Sequence, residues 1–558
     1  MDSNIYRSIA LCIPCRRSCG MGKKETLMIK KQKALIIVCL VVIVALTVVY
    51  FAVVAPMLNK KPDIKLTENI GMECYNVGSD LIRVTKDKNG DEKWINIRTN
   101  KEYELPKGVE SASAFTHLMF PTVELEDISE LTVNNENGEF GFYQDEKGNF
   151  YLKDRKGTPY DNNAFTYLMV AARHPVVYSR MTEDISDLEK YGLDKDSSPA
   201  WYELTDKKGN SYKVTIGDLA PTEDRYYVMV DGVDAIYIAD TEVNYLLRSA
   251  ESYVLPILSY PTDSTEYYMT EEFILEVDGE KFMEIKYLSE LERINKATNS
   301  YYEMLTPADY PVNSTNYDTI LKKFTGFQGT ETVAFGKSDE VLPMETLAQY
   351  GLDKPKYSIY YKYSGAKNNV WVSELQTDEE TGESFYYAYS VAFNLVAKVS
   401  PLTLEFLSWD LLNYIDRPVL AHTNINNIQT IAIKGDGVDE EFTVAGSDEG
   451  LNIVCKSSGR KFSGDSAMDF RRFYKKLLEI ALQDYTESKA TDDVLMTLNI
   501  VTDADEEMEY IFYSTTSGHC YYTINGEGEF YVLRDRIERI LLDTKTLASG
   551  GEITGEAT

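Results

Sequence analysis

Leu188-Glu-Lys-Tyr-Gly-Leu-Asp-Lys195 returns as Leu347-Ala-Gln-Tyr-Gly-Leu-Asp-Lys354, identical at six of eight positions across an offset of 159 residues. Self-similarity of this kind marks a structural unit copied along the chain. A tyrosine pair follows each copy, Tyr226-Tyr227 and Tyr386-Tyr387, and a third pair, Tyr521-Tyr522, stands in similar surroundings. The contexts are RYYVMVDGVDAIYIADTEVNYLL, FYYAYSVAFNLVAKVSPLTLEFL and CYYTINGEGEFYVLRDRIERILL. Each reads as an aromatic strand, a second strand, and the start of an amphipathic helix.

The upstream stretches agree. Ile128-Ser-Glu-Leu-Thr-Val133 leads into GEFGFYQDEKGNFYLKD with a turn at Lys147-Gly148-Asn149. Phe273-Ile-Leu-Glu-Val277 turns at Asp278-Gly279 into KFMEIKYL, and Ile428-Gln-Thr-Ile-Ala-Ile433 turns at Gly435-Asp436-Gly437 into EEFTVAG. Alternation with turn residues between the runs predicts hairpins. A helix follows each. The clearest is predicted over Asp465 to Asp484, where Phe470, Phe473, Tyr474, Leu477, Leu478 and Ala481 fall on one helical face and Asp465 or Ser466 can cap the start. Its counterparts are near Asn163 to Arg173 and Thr315 to Phe324.

The repeated motif itself reads as a helix stop. A helix from about Glu183 to Tyr191 would place Gly192 in the left-handed position after its end, with Leu193 touching Leu188 as in a Schellman cap. Gly351, Leu352 and Leu347 take the same places in the second copy. The alternative is a ligand role for Asp194 and Asp353. For the Tyr pairs, strand packing competes with stacking against sugars.

The fold class expected is α+β, an N-terminal transmembrane helix followed by repeated, mainly antiparallel β-sheet modules with short flanking helices. The segments are a basic cytoplasmic tail (1–33), a signal-anchor helix (34–57), a leading extracytoplasmic segment (59–124), repeat units at 125–262, 268–415 and 424–545, and a disordered tail (546–558). Unit three lacks the Tyr-Gly-Leu-Asp piece.

The anchor rests on Ala34 to Ala55, ALIIVCLVVIVALTVVYFAVVA, 22 residues without a charge. At about 1.5 Å per residue it spans a bilayer core. Arg7, Arg16, Arg17, Lys23, Lys24, Lys30, Lys31 and Lys33 precede it, against Asp2 and Glu25. Positive-inside logic puts the N-terminus in the cytoplasm and the bulk outside the cell membrane. A cleaved signal peptide would have a shorter apolar run. Met21-Gly22-Lys23-Lys24 also reads as a translation start.

The whole chain of 558 residues carries a net charge of −32, and the part beyond the anchor is more acidic still. Nucleic acid is excluded as a partner, because phosphate binding needs clustered cations. Only Cys74, Cys455 and Cys520 lie beyond the anchor, so a disulfide framework is excluded, although one Cys455–Cys520 bridge is compatible with the sequence. Cys12, Cys15 and Cys19 lack the surroundings of a redox or metal motif.

No catalytic pattern emerges. His117, His174, His422 and His519 form no zinc motif, and no phosphate loop or nucleophile elbow occurs. Ser458-Gly-Arg-Lys461 matches an S-x-x-K string, but in a predicted turn. Asp87-Lys-Asn-Gly-Asp91 reads as a hairpin turn and Asp503-Ala-Asp-Glu-Glu507 as solvated charge, neither with calcium-loop spacing. The sequence therefore assigns no catalytic, cofactor-binding or metal residue.

The basic tail, the single anchor and repeated hairpins with Tyr-Gly-Leu-Asp, Val-Thr-Ile-Gly-Asp218 and Arg-Tyr-Tyr-Val228 resemble the bacterial domain of unknown function 4340. The resemblance is clearest over about 125–260. Unit two departs from it, with Trp371-Val-Ser-Glu near the place of Ile-Gly-Asp. It implies no catalytic residues, and a partner among ABC-type permeases and gliding-motility-like auxiliary proteins. The function expected is a non-enzymatic, single-pass, membrane-anchored accessory subunit of an ABC-type export or envelope complex, with a cell-wall or glycan-binding module as the alternative.

Overall fold

The computed structural model describes residues 42–50, 69–107, 115–153, 155, 158–197, 199–221, 224–337, 340–515 and 518–555. The expected basic tail, Cys12, Cys15, Cys19, Cys39 and most of the expected anchor lie outside them. Residues 42–49 are helical, and their side chains are exposed, with Val42 at 49% and Leu46 at 64%. Among the described residues, no helix is long and apolar enough to cross a membrane.

The chain forms two compact units, Met1–Pro121 and Thr122–Thr558. The first holds one five-stranded antiparallel sheet, ordered Lys101–Glu102, Glu92–Asn96, Asp80–Lys86, Glu73–Val77, Thr116–Leu118. Tyr75, Val77, Ile82 and Trp94 form its core.

The second unit holds three large sheets built to one plan. In the first, the order from edge to edge is Phe150–Leu152, Gly138–Gln144, Ile128–Asn135, Ala200–Asp206, Ser211–Leu219, Tyr226–Val230, Ile236–Ala239, Val177–Met181. An opening meander is followed by the helix Asn162–Arg173. The chain then crosses to form the far edge strand before a second meander fills the middle. The second sheet repeats this path through the helix Ser314–Lys323 and the edge strand Glu331–Phe335. The third repeats it through the helix Ala467–Leu478 and the edge strand Leu482–Tyr485, with one more strand in its opening meander. Every pairing is antiparallel, so each sheet carries the alternation legible in its sequence.

Local chemistry explains the turns and caps. Asp87, Asp145 and Asp206 each accept two backbone N–H groups across a Gly-containing hairpin loop, at 2.7 to 3.0 Å. Asp161 and Asn313 cap the first two helices. The third helix differs from expectation. It stops at Leu478, and Leu482–Tyr485 becomes strand, because its backbone pairs with Phe530–Leu533. Ser466 takes the N-cap position, but its side chain makes no cap hydrogen bond. The Ser466 hydroxyl instead accepts the Ser463 N–H at 2.9 Å and donates to the Ser463 carbonyl at 2.8 Å. Phe470, Phe473, Tyr474 and Leu477 are buried, as the periodicity requires.

Two further expectations are corrected. The C-terminal tail is not disordered from residue 546. The helix Arg534–Ser549 runs through it, and Ile553 is buried, its N–H donating to Asp469 at 3.1 Å. Cys455 and Cys520 are free and buried, on strands separated by four others, far beyond the reach of a bridge.

The connectors are woven into the modules they join. The Leu258 and Thr262 N–H groups donate to Phe327 and Phe324 carbonyls at 3.0 Å each, and Gly329 N–H to the Pro256 carbonyl at 2.8 Å. At the next junction, Asp416 N–H donates to the Pro311 carbonyl at 2.7 Å, Asn299 N–H to the His422 carbonyl at 2.7 Å, and Val419 N–H to the Ile480 carbonyl at 2.8 Å.

Candidate functional site

Both copies of the repeated motif form the same cap. Leu193 N–H donates to the Leu188 carbonyl at 3.0 Å, and Leu352 N–H to the Leu347 carbonyl at 2.9 Å. Gly192 and Gly351 sit at φ +63° and +68°. The element before Gly192 is shorter than expected, a single 3-10 turn Glu189–Tyr191, because Asp184 already takes a positive φ. Behind each cap the motif tyrosine meets the second tyrosine of the pair edge-on. Tyr191–Tyr227 and Tyr350–Tyr387 both lie at 4.9 Å, with ring angles of 70° and 66°. Tyr521 and Tyr522 stack on Tyr513 and Phe512. The pairs therefore pack strands and caps. Asp194 accepts the Asp196 N–H at 2.9 Å.

The histidines stay apart. His174 Nδ1 lies 2.6 Å from the Thr122 hydroxyl, His519 stacks on Tyr531 and His422 faces Asp416. Among the described residues, no group of three His, Cys, Asp or Glu side chains is placed to hold a metal. Ser458-Gly-Arg-Lys461 closes the hairpin between Asn452–Cys455 and Lys461–Ser463.

The structure brings together a group of residues that the sequence does not single out. A cleft of about 130 Å³ opens where the second sheet, the connector Val419–Thr423 and the third sheet meet. The loop Lys296–Ser300 and the turn Asp309–Pro311 form one wall, and Glu506, Glu507 and Tyr510 another. Lys296 Nζ lies 2.7 Å from Glu303 and 3.5 Å from Glu506. His422 Nε2 lies 3.0 Å from Asp416 and 3.1 Å from the Val312 carbonyl. Asp309 keeps its exposure toward the cleft, yet the protein crowding around it, and then the Glu303 carboxylate, push its carboxyl up to about 6. Burial raises the Tyr510 phenol, and the charge of Asp309 adds to it. Glu506, expected as solvated charge, is 45% exposed and also pairs with Lys296. Nothing local could reveal this, since the walls come from segments some two hundred residues apart.

A second feature is a half-buried tyrosine cluster beside the second sheet, with Tyr301 its one exposed member. Tyr268 meets Tyr267, Tyr287 and Tyr301 at 6.3, 6.3 and 5.9 Å, and Tyr287 and Tyr301 lie nearly parallel, 14° apart. The Arg293 guanidinium covers Tyr301 at 4.2 Å. None of the four hydroxyls has a hydrogen-bond partner among the described residues. The helix Glu290–Asn295 beside them, closed by a Ser289–Glu292 capping box, exposes Leu291 and Ile294.

The family model described as "Domain of unknown function (DUF4340)" matches residues 151–355, a stretch that contains both copies of the cap. No curated protein matches the chain. Among solved structures, the extracellular domain of the one component system BT4673 from B. thetaiotaomicron aligns at 8% identity over 83% of this chain and 66% of that one. The TM-score is 0.08, too low to carry an argument.

Proposed function

We propose, from the match of the DUF4340 family model to residues 151–355, that the chain is a non-enzymatic, single-pass, membrane-anchored extracytoplasmic protein, the accessory subunit of an ABC-type export or envelope complex. The observation that carries the reading is the uncharged run Ala34 to Ala55. Its described part, residues 42–49, is helical with apolar side chains open on all sides, as a lipid-facing helix requires. The cationic flank before it orients the sheets outward. Tandem sheets joined by hydrogen-bonded connectors suit a scaffold that presents surfaces. The ABC-type partner comes from the family resemblance.

The test is affinity purification of the full chain from detergent-solubilised membranes. A permease polypeptide should co-purify, and a tag fused at Thr558 should be reachable from outside intact cells. Repeated recovery of this chain alone, or an unreachable tag, refutes the proposal.

One observation favours a second reading, glycan binding. The half-buried Tyr267, Tyr268, Tyr287 and Tyr301 cluster carries hydroxyls not committed to a protein partner, which suits a polyhydroxylated ring. Binding of the full chain to cell-wall sacculi, lost on Tyr301→Ala, would support it. Undiminished binding by that variant would remove the cluster from consideration.

A further inference from the structure

The cleft between the second and third sheets has acceptors to spare and no cation left over. Lys296 is held between Glu303 at 2.7 Å and Glu506 at 3.5 Å. The His422 ring faces Asp416 and the Val312 carbonyl. Neither group is available to an anion. Asp309, by contrast, enters no ion pair and no side-chain hydrogen bond among the described residues. Opposite it, Tyr510 is only 5% exposed and lines the same cleft. Its hydroxyl has no hydrogen-bond partner among the described residues either. The hydroxyl is not sealed off from solvent, so a ligand or water in the cleft can meet it. The neighbouring tyrosines show the contrast. Tyr302 donates to Asp318 at 2.5 Å, and the Tyr310 oxygen accepts the Glu529 N–H at 2.8 Å.

We propose that this cleft binds a small organic ammonium ion, with the Asp309 carboxylate and the Tyr510 oxygen accepting its N–H groups and Glu506 and Glu507 adding the attractive field. Charge and size both point that way. Four carboxylates, Glu303, Asp309, Glu506 and Glu507, face one ammonium, Lys296. The volume of about 130 Å³ is close to that of a cavity able to hold benzene, about 150 Å³. It therefore fits a ligand of roughly half a dozen heavy atoms. A divalent metal fits less well, because no three ligating side chains converge among the described residues. The site goes beyond the anchored-scaffold reading and does not depend on it.

The experiment is isothermal titration of the full chain in detergent with n-butylammonium, and with butyrate as the anion of similar size. Saturable binding of the cation alone is expected. Asp309→Asn is nearly isosteric and Tyr510→Phe removes only a hydroxyl, so both variants should fold. Each should weaken binding by about tenfold or more, the worth of a charge-assisted hydrogen bond. Asp87→Asn, on a hairpin that does not line the cleft, should leave binding unchanged. No saturation at millimolar cation, equal binding of butyrate, or equal weakening by Asp87→Asn would each overturn the proposal.

Discussion

The two caps share one backbone but not one neighbourhood, and this makes a paired substitution decisive. Alanine at either glycine must adopt the left-handed region, at a cost of about 1–2 kcal/mol. At Gly351 little is added, because a Cβ there would meet only the Ser373 Cβ at 3.9 Å. At Gly192 the new atom would lie 2.4 Å from Asp218 Oδ1, 2.5 Å from its Cγ and 2.9 Å from its backbone N. The side chain can swing away, but the backbone nitrogen belongs to the strand Ser211–Leu219 and cannot. Overpacking of this kind costs about 1–3 kcal/mol more. Gly192→Ala should therefore destabilise by about 2–5 kcal/mol and Gly351→Ala by about 1–2 kcal/mol. A chain of several sheets need not unfold in one two-state step, so hydrogen exchange read by peptide is preferable to one melting curve. Amides of Ser211–Leu219 in Gly192→Ala should exchange about thirtyfold to a few thousandfold faster than in the parent. Those of Ala366–Val372 in Gly351→Ala should exchange about fivefold to thirtyfold faster. Equal losses at the two sites, or a larger one at Gly351, would refute the reasoning.

Lys476 Nζ sits 2.7 Å from Asp543, with the side chains 25% and 10% exposed, and joins the helices Ala467–Leu478 and Arg534–Ser549. Lys476→Met should cost about 2 kcal/mol by stranding Asp543, whereas Lys434→Met, which breaks an exposed pair, should cost under about 1 kcal/mol in urea midpoints. Glu292 is held down to about 2 by the Lys286 ammonium and then by the Ser289 hydroxyl and N–H. Its contribution is present above its unfolded value and is lost as pH falls toward 2, so the deficit of Glu292→Gln at neutral pH should vanish there. Asp309 has the opposite sign. Its folded value is raised to about 6, so ionisation works against folding. Asp309→Asn should gain stability relative to the parent as pH rises from about 4 to about 6, and hold that gain above. Cys455 and Cys520 are both fully buried, and burial pushes the Cys520 thiol up to about 11. Neither should take up iodoacetamide in the native chain, and both should in urea, as read by peptide mass.

What the sequence reveals here is local. The Leu-x-x-Tyr-Gly-Leu string reports its own cap, because a Schellman turn is made by residues within six positions of one another. The Asp-x-x-Gly hairpins and the face of Phe470, Phe473, Tyr474 and Leu477 are legible for the same reason. The end of that helix at Leu478 is not, because strand pairing with Phe530–Leu533 overrides a continuing periodicity. The order of the tail escapes too, since the cap for Ile553 N–H is Asp469, far away in sequence. The cleft is the extreme case. Asp309, Glu506 and Tyr510 carry no shared signal, and only the crossing of two sheets brings them to one wall.

The woven connectors have a mechanical consequence. An ordinary join between modules gives a protease its first cut and a tandem array its bending point. Here the backbone between the second and third sheets is already stitched to Pro311, Ala297 and Ile480. Pulling from either end must therefore shear strands before it can unreel slack, and the sheets should turn together like teeth cut on one key.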